Sequence, residues 1–540
     1  MPLSEHLVIL PILIPFVIGA LMLFYDDRQR KAKVALGLVS VLAQLAAAIE
    51  LLRRSKVVGE GIEVSFYLLG DWQVPFGITL VLDRLSAIML LLTISLAIPA
   101  LIYARAGWYR RGQHFQSLFQ FLLMGLNGAF LTGDLFNLFV FFEVLLAASY
   151  GLLLHGSGQV RVRAGMQYVA INLVSSACLL IGISLIYGVA GTLSMAQLSQ
   201  MVVNLPEADR PLFHAGAAIM GLAFMVKAGI WPLSFWLPGA YMASAAPVAA
   251  MFAVMTKVGV YVILRLAMLF FGASAGASAG FGADVLTIAG LLTLTYGFLG
   301  VLASQGLGRM TAHLLLISSG TVVTVTGLAL AGGVPTMLSG ALYYMVSSTL
   351  AVAALFLLIE PMSREEGDIA AMLALTADAW GMEFEDDEKV EIGLAIPATM
   401  MVLGLSFSAC VLAVVGLPPL SGFVGKVAIL HGLLAGSPQV TGWAFMALLL
   451  FSGFAALIGL ARIGIQTFWA SDGAPPKVSV LEMAPVILLI ALIGVITIRA
   501  QDVLRFTDQT AEALFQPRTY SDSVFKAQRL HKPAPGEGKS

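Results

Sequence analysis

Charge is what this sequence has least of. Only 11% of its 540 residues are Asp, Glu, Lys or Arg, 59% are hydrophobic, and the mean hydropathy is +0.92. A soluble domain carries about a quarter charged residues, so a water-facing surface all round is excluded. The net charge of −1 leaves no basic surface for nucleic acid. Cysteine is nearly absent. Cys178 and Cys410 both lie inside apolar runs and read as small packing residues. No Cys/His spacing suits a metal or a haem, and no glycine-rich motif suits a phosphate. The sequence therefore shows no cofactor and no metal site. The apolar runs are long and uninterrupted, which fits helices and not the alternating strands of a barrel.

What the sequence does have is a recurrence of apolar runs of about 18–28 residues. They lie near 7–25, 34–52, 78–103, 115–132, 135–154, 165–188, 212–236, 243–271, 284–304, 311–331, 337–359, 393–434 (interrupted), 441–469 and 480–498. The expected fold class is an all-α polytopic membrane protein with about fourteen transmembrane helices. The first run has no basic leader and no cleavage site, so it reads as a retained helix. Basic residues gather in alternate loops: Arg28, Arg30, Lys31 and Lys33, then Arg105, Arg110 and Arg111, then Arg161 and Arg163, then Arg309. By the positive-inside rule these loops are cytoplasmic and the N-terminus is periplasmic. An even helix count sends the C-terminus outside too, against the basic residues of the tail, such as Arg499, Arg505, Arg518 and Arg529. The stretch Glu360–Glu391 is rich in acids and reads as a solvated cytoplasmic connector or as a docking surface for a neighbouring subunit.

Three lysines interrupt the apolar runs: Lys227, Lys257 and Lys426. A lysine at bilayer depth costs roughly 2.5–3.5 kcal/mol on insertion scales, so each is a functional candidate. Glu143 lies mid-run among phenylalanines, and Lys227 is its natural partner. Gly229, Pro232 and Pro238 break the seventh run, and Pro418 and Pro419 break the twelfth. The two breaks echo each other in sequence, Trp231-Pro-Leu-Ser-Phe against Pro418-Pro-Leu-Ser-Gly-Phe, each beside a lysine. Spans seven and twelve are five helices apart, so a repeat of that length runs in inverted topology. Tyr261 and Arg265 follow Lys257 along one helix face. Burial opposes the charged form of such groups and a partner charge restores it, so a small movement switches proton occupancy. The four groups Glu143, Lys227, Lys257 and Lys426 thus read as a proton relay, or alternatively as ion pairs that fix helix packing. His313, His431, Tyr343, Tyr344, Ser347 and Ser348 are further candidates for passing a proton.

These residues carry a resemblance. Glu143 in its phenylalanine-rich helix, Lys227-Ala-Gly-Ile-Trp-Pro, Lys257-Val-Gly-Val-Tyr, and Gly416-Leu-Pro-Pro-Leu-Ser-Gly-Phe with Lys426 resemble the D-type subunits of the Mrp-type multisubunit monovalent cation/proton antiporters. That family is related to the antiporter-like membrane subunits of complex I. The resemblance implies two inverted five-helix repeats, at 113–275 and 283–470, between N-terminal helices 1–112 and a last helix with its tail at 471–540. It implies a secondary transporter component, not an enzyme, in a bacterial inner membrane. Its partners would be the other subunits of a hetero-oligomer, Na+ or K+ and protons. Glu143 and Lys227 would be the coupled pair of the first half-channel, Lys257 the connector and Lys426 the outlet. The alternative is a proton-pumping subunit of complex I or of a membrane-bound hydrogenase. One departure stands out: the eleventh helix, where related subunits often carry His or Lys, has Ser347 and Ser348, which do not titrate near neutral pH.

Overall fold

Helix α10 (Ala246–Phe271) runs through the middle of the molecule, and all of its residues are buried. A helix that is apolar all round belongs inside a bundle. The computed structural model describes residues 6–25, 29–55, 64–72, 77–363, 398–468 and 478–525. Most of the acidic stretch 360–391 lies outside the described residues. Before α10 come α1 (Leu10–Leu23), α2 (Arg30–Arg54), α3 (Arg84–Ala104), α4 (Phe115–Leu131), α5 (Leu135–Leu153), α6 (Gln159–Ala190), the short α7 (Met195–Met201), α8 (Arg210–Ala228) and α9 (Trp236–Ala243). After it come α11 (Ala283–Ala303), α12 (Leu307–Leu330), α13 (Pro335–Met362), α14 (Ala398–Val415), α15 (Ser421–Ala435), α16 (Val440–Phe468), α17 (Val480–Ile498), α18 (Ala500–Leu514) and α19 (Pro517–Phe525). Among the described residues twelve helices are long and apolar enough to cross a membrane, so the chain is a multi-pass membrane protein. Each of the fourteen apolar runs holds a helix or a broken pair of helices.

The helices pack in two similar series around α10. In the first, α4 lies on α5, α5 on α6, and α6 on α8 and α9. In the second, α11 lies on α12, α12 on α13, and α13 on α14 and α15. Helix α10 touches both series, through α8 on one side and α12 and α13 on the other. The N-terminal helices are fastened by polar side chains. Ser40 Oγ donates to Gln120 Oε1 at 2.8 Å, Gln44 Nε2 to Ser40 Oγ at 3.1 Å, and Asn127 Nδ2 to Gln44 Oε1 at 3.0 Å. Amides and hydroxyls of this kind hold helices together in lipid, and they account for Gln44 in the middle of a spanning helix.

Several boundaries differ from the sequence reading. The third run begins as an edge of sheet: β1 (Ser65–Leu68) pairs antiparallel with β2 (Thr79–Leu82), and α3 starts at Arg84 with Asp83 as its N-cap, accepting from Ser86 N at 2.8 Å. Asp83 binds Arg265 of α10 through both carboxylate oxygens, while Arg84 reaches Ser55 O and Gln509. Burial alone would raise the Asp83 carboxyl, but the Arg265 guanidinium and the Ser86 hydrogen bonds hold it below the usual range. Pro238 is no break. It sits in the first turn of α9, where its missing N–H leaves no intrahelical bond unmade. Glu360 belongs to the last turn of α13 and not to a loop.

The described part of the tail is helical. Helix α18 presents Thr507, Thr510, Ala511 and Leu514 to the bundle. It packs on α13, with Ser339 and Thr507 hydroxyls 2.9 Å apart, and α19 packs on α7. Both lie at the end of the bundle that holds the β hairpin and Asp134, away from Arg105, Arg161 and Glu360. The described ends of the chain, His6 against Tyr67 and Tyr520 against Arg265, thus lie at one end of the bundle, as an even number of crossings requires.

Candidate functional site

Both broken helices stop in the same way. Helix α8 ends on Gly229 at φ 69°, and α14 is followed by Gly416 at φ 79°. Positive φ suits glycine, and at each site the next amide reaches back five residues: Ile230 N to Met225 O and Leu417 N to Leu412 O. A cis X-Pro bond follows in each, Trp231-Pro232 and Pro418-Pro419. Gly416 is not among the breaks expected from the sequence, although Val-Gly before Leu-Pro-Pro is the helix-stop signal that Ala-Gly before Ile-Trp-Pro also carries.

Each break holds a lysine, from opposite sides. Lys227 lies in the last turn of α8, where the carbonyl end of a helix favours a cation. It is buried, with Nζ donating to Ser176 Oγ of α6 at 3.2 Å and lying 5.1 Å from the centre of the Phe142 ring. Lys426 comes from α15, after the break, and turns back so that Nζ donates to Val415 O at 2.7 Å, the last carbonyl of α14. Its ammonium also abuts Gly453 of α16, where a Cβ would come within 3.0 Å of Nζ.

Glu143 stands beside Lys227 without touching it. Its charge acts on Lys227, but among the described residues no ion pair within 4.0 Å joins them, and Glu143 Oε1 is buried with no protein hydrogen bond. The expected direct pairing is thus a separated one, because Lys227 leans onto α6 and the face of Phe142.

Lys257 is fully buried in α10. Its Nζ donates to Ser318 Oγ and to Ser319 Oγ of α12, each at 2.9 Å. Ser318 Oγ is 2.7 Å from Ser348 Oγ of α13. The adjacent Ser347 has its Oγ 2.6 Å from Ser421 Oγ, at the start of the helix that carries Lys426. The two serines of α13 thus face opposite ways, one toward Lys257 and one toward the second break. Gly259 meets Ala228, where a Cβ would lie 2.7 Å from the backbone nitrogen, so α10 and the end of α8 are in direct contact.

The remaining candidates are placed elsewhere. Tyr261 and Arg265 turn away from Lys257 toward α3 and α4: Tyr261 Oη donates to Phe130 O at 2.8 Å, and Arg265 is held by Asp83. His313 Nδ1 lies 2.9 Å from Arg309 O of its own helix. His431 is exposed on the outer surface of α15. Tyr343 Oη donates to Ile496 O at 3.2 Å, and Tyr344 is buried behind Gly425. Among the described residues no cluster of His, Cys, Asp and Glu is suited to a metal ion.

Residues 132–452 match the family model described as NADH:quinone oxidoreductase/Mrp antiporter, transmembrane. Over 538 residues the chain is 51% identical to the D component of a probable K(+)/H(+) antiporter of Rhizobium meliloti (strain 1021), covering 97% of this chain and 98% of that one. It is 33% identical over 532 residues to the D component of a Na(+)/H(+) antiporter of Bacillus subtilis (strain 168), covering 97% and 100%. In fold it is similar to a chain of the Mrp complex from Dietzia sp. DQ12-45-1b, with a TM-score of 0.82, 24% identity, and 97% and 100% of the two chains covered.

Proposed function

The chain belongs to the NADH:quinone oxidoreductase/Mrp antiporter transmembrane family, and from that premise we propose that it is the D-type subunit of a multisubunit antiporter exchanging K+ or Na+ for protons. It is a transport subunit and not an enzyme. Relatives matched along almost their whole length carry the antiporter name, which favours this reading over a component of a redox-driven pump. One observation carries the mechanism: a buried lysine stands at each helix break, and Lys257 stands between them, joined to Ser348 on α13, whose neighbour Ser347 meets the second break.

In this reading 113–275 and 283–470 are inverted repeats, flanked by 1–112 and 471–540. Glu143 and Lys227 form the pair of the first half, Lys257 connects the halves, and Lys426 is the outlet. Ser347 and Ser348 do not need to titrate. A hydroxyl both donates and accepts, so Ser318 and Ser348 can carry a proton from Lys257 to α13, and Ser347 and Ser421 form a second such pair beside the second break. Charge moved a few ångströms in a medium of low dielectric changes its neighbours by several kcal/mol, about 4 kcal/mol at 4 Å and an effective dielectric of 20. A cation entering one half can therefore discharge a proton from the other. The separation of Glu143 from Lys227 suits this, since a pair locked in contact would resist the change.

The test uses the whole gene cluster in an antiporter-deficient strain. Everted vesicles energised by respiration should show dequenching of a pH dye on addition of K+ or Na+, and none with the gene for this chain deleted. Equal responses with and without the gene would overturn the assignment, and the cation giving the larger response is the substrate. The arginine-rich face is cytoplasmic in this reading, with the N-terminus and α19 periplasmic in a bacterial inner membrane. A cysteine at Asp522 should then react with an impermeant thiol reagent in spheroplasts and stay protected in everted vesicles; the reverse pattern would invert the topology.

A further inference from the structure

Two helices leave a gap at the seam between the two series. Helix α8 packs on α6 and α10, α11 packs on α12 and α16, and α8 and α11 make no extended contact with each other. Between them, over α10, lies a cavity of about 270 Å³. Its floor includes Val262, Leu266 and Phe270 of α10, and its rims Ala218 and Leu222 of α8 and Val285 of α11. The three rim residues are exposed, so the cleft opens sideways, which in a spanning bundle means toward the bilayer. Every lining residue is apolar or glycine, so water finds no side-chain partner there. An apolar cavity of about 150 Å³ already stays dry and takes an apolar ligand. At Gly221, on the same wall, a Cβ would meet nothing within 4 Å.

The cleft is closed at both ends. Toward the middle of the bundle, Trp231 N donates to Thr293 Oγ1 of α11 at 2.9 Å. Toward the other end, His214 of α8 stacks on Phe281 with centres 4.0 Å apart, and its Nε2 lies 3.1 Å from Ser278 Oγ. The lining from Ala217 to Met225 covers about 12 Å of helix. That is close to one leaflet, half of a hydrocarbon core about 30 Å thick. A spanning helix from another subunit is about 10 Å across and runs the whole core, so a slot closed at mid-depth does not admit it. A single hydrocarbon chain fits.

Charge stands where the headgroup of such a chain would lie. Arg210 precedes His214 by one turn, on the face of α8 that carries Gly221 and Met225, and its Nη2 donates to Leu205 O at 3.4 Å. Asp284 is exposed in the first turn of α11, next to Val285. Among the described residues neither is in an ion pair within 4.0 Å. A cation and an anion at one rim suit a headgroup that carries both charges, since a guanidinium binds phosphate and a carboxylate binds ammonium. A purely anionic headgroup would meet Asp284 and also Glu207 and Asp209, both exposed just before Arg210.

We propose that this cleft binds one acyl chain of a zwitterionic phospholipid, with its phosphate at Arg210, its ammonium at Asp284 and its chain end at Met225, beside the turn that carries Lys227. The chain supplies the contacts that an empty space between α8 and α11 would forfeit. The site needs neither cation nor proton to move, and it stands apart from the antiporter reading.

The test uses the assembled complex in proteoliposomes containing phosphatidylethanolamine with a diazirine on one acyl chain. Photolysis should attach this lipid to the peptides that hold Leu222 and Val285. Gly221→Phe fills the cleft and should cut the attachment at least fivefold, and Ala218→Phe, at the exposed rim, should act alike if Gly221→Phe fails to assemble. Unchanged attachment in an obstructed complex overturns the chain site. So does absence of attachment in the parent, the result expected if a neighbouring subunit covers the cleft. Phosphatidylglycerol with the same diazirine has the phosphate and no ammonium. It should attach at least threefold less than phosphatidylethanolamine, and Asp284→Asn should erase that difference, while Arg210→Gln should lower attachment of both. Equal attachment of the two lipids to the parent overturns the headgroup assignment, and so does an Arg210→Gln complex that attaches both as the parent does.

Discussion

Lys257→Met and Lys257→Arg should both lose proton-coupled exchange while the complex assembles normally. The expected loss is on the order of a hundredfold, the scale of a missing proton-transfer group. Lys257 Nζ meets only hydroxyls, Ser318 and Ser319, with no carboxylate among its hydrogen-bond partners. A neutral methionine fills the same space, removes the costly charge, and should if anything favour folding. It leaves the two serines without a donor and cuts the hydroxyl row from its source. Arginine keeps a charge but stays protonated in proteins, so it can occupy the position and not exchange there. The contact of Gly259 with Ala228 also leaves little freedom for α10 to shift and admit a larger side chain. Dye dequenching in everted vesicles, set against the amount of assembled complex on a native gel, separates the outcomes. Full activity of Lys257→Met would reduce Lys257 to a packing residue. Full activity of Lys257→Arg alone would show that a fixed positive charge is enough.

Glu143→Ala and Lys227→Ala should be as severe, again with the complex intact. Here the geometry argues against a purely structural role. Breaking a buried ion pair typically costs about 3–5 kcal/mol, because the survivor is left unpaired. These two are not in contact, and Lys227 keeps Ser176 and Phe142 when Glu143 is removed. Assembly should therefore survive either substitution. Loss of the whole complex from the membrane would return the pair to helix packing, and normal exchange by either variant would remove it from the relay. The contrast with Asp83 and Arg265 is instructive: that pair is bidentate and closed, as a structural bridge is.

The fold is legible in the sequence where physics acts along the chain. Apolar runs of bilayer length mark the spanning segments, and glycine with proline marks both breaks, because hydropathy and backbone freedom are local properties. The lysines and Glu143 are legible for the same reason, since their insertion cost can be judged without neighbours. What cannot be read is who meets whom. Arg265 reads as part of a stripe with Lys257, yet its partner lies 182 residues away at Asp83. Ser347 and Ser348 read as a gap in the relay, because a sequence shows that serines do not titrate and not that one touches Ser421 and the other Ser318. Helix α18 reads as a tail because its pattern is amphipathic, and amphipathic helices carry no long apolar run to find. The cleft between α8 and α11 has no sequence signature at all: a gap is made only by the helices that stand around it.

The placement of α18 and α19 has a consequence for how the molecule is made. Both segments leave the ribosome after every spanning helix, yet they cover joints formed much earlier. Gln509 holds Arg84 at the head of α3, Thr507 meets Ser339 at the head of α13, and Tyr520 lies over Arg265 of α10. Until they arrive, the newly inserted bundle exposes the Asp83–Arg265 bridge at one end and leaves α3, α10 and α13 without a common clasp. A late closure step thus follows insertion, and a chain stopped just after α17 would carry every spanning helix and every buried lysine while presenting the cell's quality-control proteases with an unfinished surface.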